Sequence, residues 1–279
     1  MNEIIKTGHL SESVYRFRIT APRIAKKRKA GQFIILRPQK DSERIPLTIA
    51  DASPSEGWIE IIFQIAGRTT RQLSELKTGD SIPDLSGPLG KPTHIEKFGR
   101  CICIGGGVGI APLYPIVGAL KEAGNSITTI IGARTENLLI IEDEMKARSD
   151  NFYIATDDGS KGTKGFVSTV FSSLLEQGQT FDYAIVIGPV IMMKVTTRLI
   201  KEAGIPCMAS LNPIMVDGTG MCGGCRVTVN GETKFACVDG PEFDAAGVDW
   251  DELIKRLKSY SQFEQDALEK HECRLRGSV

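Results

Sequence analysis

The stretch Arg100-Cys-Ile-Cys-Ile-Gly105-Gly-Gly-Val-Gly-Ile-Ala-Pro112 passes within a few residues from an alternating apolar run into a glycine turn and then into a segment of helical period. A strand that feeds a helix through glycines opens a parallel βαβ unit, and the helix N-terminus so formed can seat the pyrophosphate of a dinucleotide. Gly105, Gly106, Gly107 and Gly109 let the backbone approach such a ligand, and Pro112 suits the first helical position. Counted from Gly107, the G-x-G-x-x-G pattern is incomplete because Pro112 stands in place of the third glycine. Position, after a strand and before a helix, therefore carries the argument.

Downstream of this turn the texture keeps alternating. Strand-like runs at 101–104, 126–131, 152–156, 183–187 and 207–211 are separated by amphipathic segments around 111–122, 142–148, 167–176 and 191–202. That alternation predicts a doubly wound parallel sheet. A second glycine element, Gly188-Pro189-Val-Ile-Met-Met, ends a strand at the edge where ligands bind in such sheets. Cys101 and Cys103 alternate with isoleucine and read as small buried strand residues.

Upstream, residues 1–97 hold short alternating runs such as Ser13-Val-Tyr-Arg-Phe-Arg-Ile, Gln32-Phe-Ile-Ile-Leu and Trp58-Ile-Glu-Ile-Ile-Phe-Gln-Ile, divided by turns and without a long helical period. The spacing predicts a small antiparallel barrel. Two polar clusters lie inside it, Arg44-Ile-Pro46-Leu47-Thr48 and Gly67-Arg-Thr69-Thr70-Arg-Gln-Leu. An arginine can grip a phosphate, and a Gly-Arg-Thr-Thr turn opening a helix offers N–H groups and hydroxyls to another. Taken alone, each also reads as a plain turn.

Beyond the α/β region comes Asp217-Gly-Thr-Gly-Met-Cys222-Gly-Gly-Cys225, followed by Cys237 after an Asn230-Gly231 hairpin signal. Two thiols two residues apart can grip one metal, and the hairpin returns the third. The spacing is that of a plant-type [2Fe–2S] loop, C-x4-C-x2-C…C, with Asp217 where the first cysteine would stand. The ligand set reads as three thiolates and one carboxylate. The alternative is that Asp217 only shapes a turn and the cysteines hold zinc with a distant group. Zinc sites usually show two paired motifs, and here there is one. His9, His94 and His271 lie far off in sequence and read as surface residues.

At 279 residues, 41 % hydrophobic and 24 % charged, the chain is long enough for more than one domain with a sizeable core. No uninterrupted apolar run approaches a membrane span, and the opening Met-Asn-Glu-Ile-Ile-Lys does not resemble a signal peptide, which predicts a cytoplasmic protein. Zero net charge argues against nucleic acid as a bulk partner. The basic run Lys26-Lys27-Arg28-Lys29 reads as a solvated loop, or else as a docking patch for a phosphate or an acidic partner. Seven cysteines without a secretory signal read as thiols or ligands rather than disulfides, although Cys207 and Cys273 carry no pattern. From Asp249 the tail reads as a helix, acidic first and basic later, with Leu253, Leu257 and Tyr260 at helical spacing. It packs either on its own domain or on a partner.

Taken in order, Arg-x-Pro-Leu-Thr, Gly-Arg-Thr-Thr, Gly-Gly-Gly-Val-Gly-Ile-Ala-Pro, Thr156-Asp-Asp-Gly-Ser and Gly-Pro-Val-Ile-Met-Met resemble the ferredoxin-NADP reductase superfamily. The cysteine loop, ending in Cys237-Val-Asp-Gly-Pro-Glu-Phe, is similar to that of the electron-transfer subunits of dihydroorotate dehydrogenase. Within that group the loop looks most like the small subunits of electron-bifurcating NADH-dependent reduced ferredoxin:NADP oxidoreductases. The resemblance implies an FAD-binding barrel over 1–97, an NAD(P)-binding α/β domain over 98–209, a [2Fe–2S] domain over 210–245 and a helical tail over 246–279. It places FAD along Arg44, Pro46, Leu47 and Thr48, with Gly67, Thr69 and Thr70 at a second phosphate contact. Arg44 stands four residues before Thr48, where the superfamily has three, so the resemblance does not fix which side chain meets which phosphate. NAD(H) would sit at Gly105 to Pro112 with Gly188 and Pro189 near the nicotinamide, and Asp217, Cys222, Cys225 and Cys237 would hold the cluster. A nicotinamide exchanges two electrons as hydride and such a cluster one at a time, so the flavin between them is the converter, with no acid–base dyad required. The implied partner is a larger iron–sulfur flavoprotein subunit, and this chain would be the NAD-reducing branch. Linkage to dihydroorotate oxidation is the alternative within the same group.

Overall fold

The computed structural model describes residues 2–260, with the backbone alone for Tyr260. His271, Cys273 and the end of the expected tail lie outside the described residues. The strands β1 (Ile4–Ser11), β2 (Val14–Thr20), β3 (Phe33–Arg37), β4 (Ile45–Ser53), β5 (Trp58–Gln64) and β6 (Asp84–Leu89) form an antiparallel sheet in the order β1-β2-β5-β4-β3-β6. The segment just before β6 bonds to the start of β1, where Ile4 N–H reaches Asp80 O at 2.8 Å and Ile82 N–H reaches Asn2 O at 3.1 Å. These bonds close the sheet into a barrel. Alternate residues fill it, among them Phe17, Ile34, Leu36, Ile61 and Phe63. Each such side chain contributes about 1.5–3 kcal/mol by leaving water.

β3 has no polar alternation because both of its faces are covered. Ile34 and Leu36 point into the barrel, whereas Phe33 and Ile35 join a second core with Cys225, Ala236 and Cys237. Short helices α1 (Pro22–Lys27) and α2 (Arg68–Ser74) complete this part. The basic run is therefore not a loop throughout: Lys26 and Lys27 end α1, and Arg28 turns inward, donating to Ala50 O at 3.3 Å. Proximity of apolar Ile24 and Ala25 to the core winds this segment into a helix.

The second layer is built from β7 (Arg100–Gly106), α3 (Ile110–Glu122), β8 (Ser126–Ala133), α4 (Glu142–Ala147), β9 (Asn151–Thr156), β10 (Thr163–Lys164), α5 (Val167–Glu176), β11 (Tyr183–Ile187), α6 (Val190–Glu202) and β12 (Cys207–Ser210). Its sheet runs β10-β9-β8-β7-β11-β12 in parallel, so the chain winds outward from β7 in both directions. The order reverses between β7 and β11, and a doubly wound sheet opens its ligand crevice at such a point. Cys101 and Cys103 are fully buried on β7. The barrel is clasped to this layer by Arg16, which meets Glu144 at 2.9 Å and Glu60 at 3.4 Å.

The last part carries a hairpin of β13 (Arg226–Val229) and β14 (Glu232–Phe235), turned by Asn230 and Gly231 at φ +53° and +76°. β15 (Glu242–Asp244) then adds to the parallel sheet antiparallel to β12. Finally α7 (Trp250–Leu257) begins at Asp249, whose carboxylate accepts the Glu252 N–H at 2.9 Å. It buries Leu253 and ties Asp251 to Lys194 of α6 at 2.7 Å, so the described part of the tail packs on its own chain. Among the described residues no helix is long and apolar enough to cross a membrane.

Candidate cofactor sites and the family

At the crevice between β7 and β11 the two glycine turns touch. A side-chain carbon on Gly109 would lie 2.7 Å from Gly188 Cα and 2.7 Å from Ile187 O, so only a glycine lets the two turns meet. Gly107 is at φ +55° with open space beside it, and Gly105 and Gly106 complete the end of β7. Gly105 lies against Ile110 and Leu113 of α3, which brings helix and strand into close contact. Pro112 is the third residue of α3 rather than the first. The first turn tolerates it equally well, because its N–H groups have no partner within the helix.

A cavity of about 320 Å³ opens at these turns, lined by Gly106, Gly107, Arg134, Asp157, Pro189 and Met192, with Val14 and Gln64 reaching in from the barrel. Of the two charged residues that follow β8, Arg134 lines the cavity and Glu136 does not. Glu136 N–H is instead held by Ser160 Oγ at 2.8 Å. The acid that faces the cavity is Asp157, at the end of β9, within the Thr156-Asp-Asp-Gly-Ser motif. The motif by itself assigns Asp157 no role. Its signal was position alone, a strand end two places from β7 on the crevice side.

Both polar clusters of the barrel meet at one edge. Arg44 leads into β4, on which Ile45, Pro46, Leu47 and Thr48 are half-buried, and Glu43 N–H donates to Thr69 Oγ1 at 3.3 Å. That bond ties the Arg44 segment to the start of α2. Thr70 Oγ1 accepts the Ala66 and Gly67 N–H groups at 2.9 and 3.0 Å and donates to Gly67 O at 3.0 Å. A hydroxyl has one proton and two lone pairs. Thr70 therefore shapes the turn, and a phosphate there would meet the N–H groups of Arg68 and Thr69 and the exposed Arg44 instead.

In the cysteine loop, Asp217 Oδ1 accepts the Thr219 N–H at 3.0 Å, and Oδ2 accepts the Cys222 N–H at 3.0 Å and the Thr219 hydroxyl at 3.2 Å. These bonds, the backbone one from Thr219 first, hold the carboxyl below its ordinary range and hence anionic. A carboxylate has about four lone-pair sites, so one remains for a metal after three hydrogen bonds. Cys225 and Cys237 face each other with Sγ atoms 3.1 Å apart. Burial, then the hydrogen bond with Cys225, pushes the Cys237 thiol up to about 12, so a metal binding there displaces a proton. Among the described residues no three such side chains converge as a single-ion site. Cys225 and Cys237 form one thiol pair and the Asp217 carboxylate is tied to the Cys222 backbone, a donor set of three thiols and one carboxylate that suits an iron–sulfur core. His9 and His94 are exposed, and Cys207 is buried in β12.

The loop rests on the barrel. Gly218, at φ +73°, leaves no room for a side chain, since an added carbon would meet Ile35 Cγ1 at 2.6 Å. Ile35 pairs across the sheet with Pro46 of β4. At the same junction Lys91 N–H reaches Gly240 O at 2.7 Å and Thr93 Oγ1 donates to Glu242 Oε1 at 2.6 Å. Burial pushes the Glu242 carboxyl up to about 7, against the Thr93 hydrogen bond that favours its anion.

Comparison with known proteins follows this layout. Residues 212–249 match the family described as the iron-sulfur cluster binding domain of dihydroorotate dehydrogenase B, and residues 103–198 match the oxidoreductase NAD-binding domain. A chain from the structure of an NADH-dependent reduced ferredoxin-NADP oxidoreductase, solved for insight into flavin-based electron bifurcation, superposes with a TM-score of 0.92. It is 50 % identical, over 97 % of this chain and 98 % of that one. A probable electron transfer subunit of dihydroorotate dehydrogenase B from Methanocaldococcus jannaschii is 36 % identical over 74 % of this chain and 76 % of its own. The electron transfer subunit homolog of dihydroorotate dehydrogenase B from Thermotoga maritima is 52 % identical over 97 % of this chain and 95 % of its own. Identity at that level along nearly the whole of both chains establishes that the chain belongs to the family of dihydroorotate dehydrogenase B electron-transfer subunits and their homologues, an oxidoreductase family with a barrel, a nucleotide-binding α/β domain and a C-terminal iron–sulfur domain.

Proposed function

We propose that the chain passes electrons between NAD(H), FAD and a [2Fe–2S] cluster, to or from a larger iron–sulfur flavoprotein subunit, as the NAD-reducing branch of a cytoplasmic electron-bifurcating NADH-dependent reduced ferredoxin:NADP oxidoreductase. The observation that carries this is the seat of the cysteine loop: Gly218 lies on Ile35, and Ile35 is the cross-strand neighbour of Pro46 in the strip assigned to the flavin. A cluster there adjoins the flavin through one strand of protein. The half-identical chain of the bifurcating oxidoreductase favours this reading over dihydroorotate oxidation, which the names of other relatives keep as the second reading.

In this assignment residues 1–97 hold FAD, 98–209 hold NAD(H), 210–245 hold the cluster, and 246–279 form the tail. When bound, the nicotinamide supplies a hydride, the flavin converts two-electron to one-electron exchange, and the cluster carries single electrons. Arg44 and the start of α2 neutralise the FAD diphosphate, while Pro46, Leu47 and Thr48 line the ring system. Gly105 to Pro112 receive the dinucleotide, and Gly188 and Pro189 hold the nicotinamide end in the crevice. Asp157 accepts the hydroxyls of the adenosine ribose and repels a 2′-phosphate, which favours NAD(H). Asp217 and Cys222 ligate one iron, and Cys225 and Cys237 the other. The partner meets the exposed edge of the loop, where Val216, Met221 and Val238 leave apolar surface beside three of the ligands.

Reconstituting the chain with its copurifying large subunit tests the function. NAD reduction by NADPH that depends on a ferredoxin able to take the second electron supports bifurcation. NAD reduction driven by dihydroorotate, with no response to ferredoxin, transfers the chain to the second reading.

A further inference from the structure

Three peptide planes link Cys222 to Cys225, and an arginine is fastened to each of the last two. Arg226 Nη1 donates to Gly223 O at 3.3 Å, and Arg256 Nη2 donates to Gly224 O at 3.2 Å. The Gly223–Gly224 plane also donates on its far side, since Gly224 N–H points at Cys222 Sγ at 3.4 Å. A chain of polarised groups therefore runs from the Arg226 guanidinium through the Gly223–Gly224 peptide to a thiolate ligand. Arg256 arrives from elsewhere in the chain, on the last turn of α7, which buried Leu253 and the Lys194–Asp251 ion pair fix against the body of the protein. Among the described residues both guanidiniums contact carbonyl oxygens of the loop rather than a carboxylate, so each brings a positive charge to the rim of the cluster.

We propose that Arg226 and Arg256 are positioning residues that clamp the Cys222–Cys225 turn and raise the reduction potential of the cluster it holds. The inference rests on the cluster assignment made above. Reduction adds one negative charge to the centre, and nearby positive charge favours the more negative state. Polarising the Gly223–Gly224 peptide strengthens the N–H···S bond to Cys222, which acts in the same direction. The clamp also couples the cluster to α7, so the C-terminal helix sets the readiness of the centre to accept an electron without touching it.

The test is a potentiometric titration of the EPR signal of the reduced cluster in the full chain, with iron counted in the same samples. It compares the parent protein with Arg226→Gln, Arg256→Gln, Arg226→Lys and Arg256→Lys. The expected result is full iron content throughout, a lowered midpoint potential in both glutamine variants, and an intermediate potential in the lysine variants, which keep the charge but lose the planar fork. Unchanged potentials in iron-replete glutamine variants overturn the clamp. Loss of iron in the glutamine variants overturns the tuning of the potential, by assigning the arginines to building the loop alone. A parent protein without a [2Fe–2S] signal contradicts the cluster assignment instead, so the two failures are distinct.

Discussion

Replacing Gly109 by alanine isolates the contact between the two nucleotide turns. Gly109 has φ −62°, a conformation any residue adopts, so the change introduces no backbone strain. The added methyl would lie 2.7 Å from Gly188 Cα and Ile187 O and 2.9 Å from Gly188 N, all of them main-chain atoms that cannot rotate aside. Overpacking of this kind costs about 1–3 kcal/mol. Relief requires the β7 and β11 turns to part, which deforms the seat assigned to the dinucleotide. If the whole cost falls on the bound state, NADH affinity drops about 5- to 150-fold, since 1.4 kcal/mol is a factor of ten. The assay is anaerobic bleaching of the bound flavin at graded NADH concentrations, with FAD and iron content measured in parallel. NADH affinity within about twofold of the parent, in a protein whose melting temperature has fallen, refutes the reasoning by showing that the strain is absorbed away from the seat.

Gly218→Ala puts a methyl against Ile35 at a φ of +73°, which costs a further 1–2 kcal/mol or so for the left-handed backbone. The loop should lift from β3, and rapid-freeze EPR should find the cluster reduced more slowly after NADH is added; an unchanged rate removes β3 from the route. Asp157→Asn should shrink the preference for NADH over NADPH by about tenfold or more, because a hydrogen bond to a charged group is worth about 1.5–3 kcal/mol. An unaltered ratio of kcat/KM values speaks against Asp157 at the ribose. Glu242 is raised from its ordinary range to about 7. A folded pKa above the unfolded one gives stability that is complete below about 4.5 and is lost as pH rises through 7. Glu242→Gln should therefore flatten the fall in stability between pH 4.5 and 7.5, a difference on the order of 1–3 kcal/mol at the upper end. Parallel denaturation curves for parent and variant across that range would exclude the buried carboxyl as the cause.

The α/β layer was legible because its signals are local. β11 and α5 fall on the residues that alternation and helical period pick out, and β8 and α6 differ at their ends only. The barrel was legible as a class while β1, β4 and β6 escaped; β4 begins inside a motif read for its polar residues. β3 shows why periodicity fails at a junction: Phe33 and Ile35 are apolar on what would be the outer face because the cysteine loop covers them. β15 could not be foreseen, being a strand of three residues whose only reason to extend is the free edge of β12. The cysteine spacing foresaw that Cys237 returns to the C-x-x-C pair, where its Sγ lies 3.1 Å from that of Cys225. The cavity-facing Asp157 and the arginine on Gly224 depend on contacts across distant segments, which no spacing in the chain encodes, whereas the Thr70 and Arg226 bonds are local, three or four residues away, and carry no residue pattern that singles them out.

The most direct measurement is anaerobic purification of the tagged chain from its own cells, weighing what copurifies and counting flavin, iron and zinc in the complex. The account predicts a larger iron–sulfur flavoprotein at its side, FAD on both chains, and two irons in this one that give the EPR signal of a [2Fe–2S] centre on reduction. A colourless, flavin-free chain holding zinc at Cys222, Cys225 and Cys237 would contradict it.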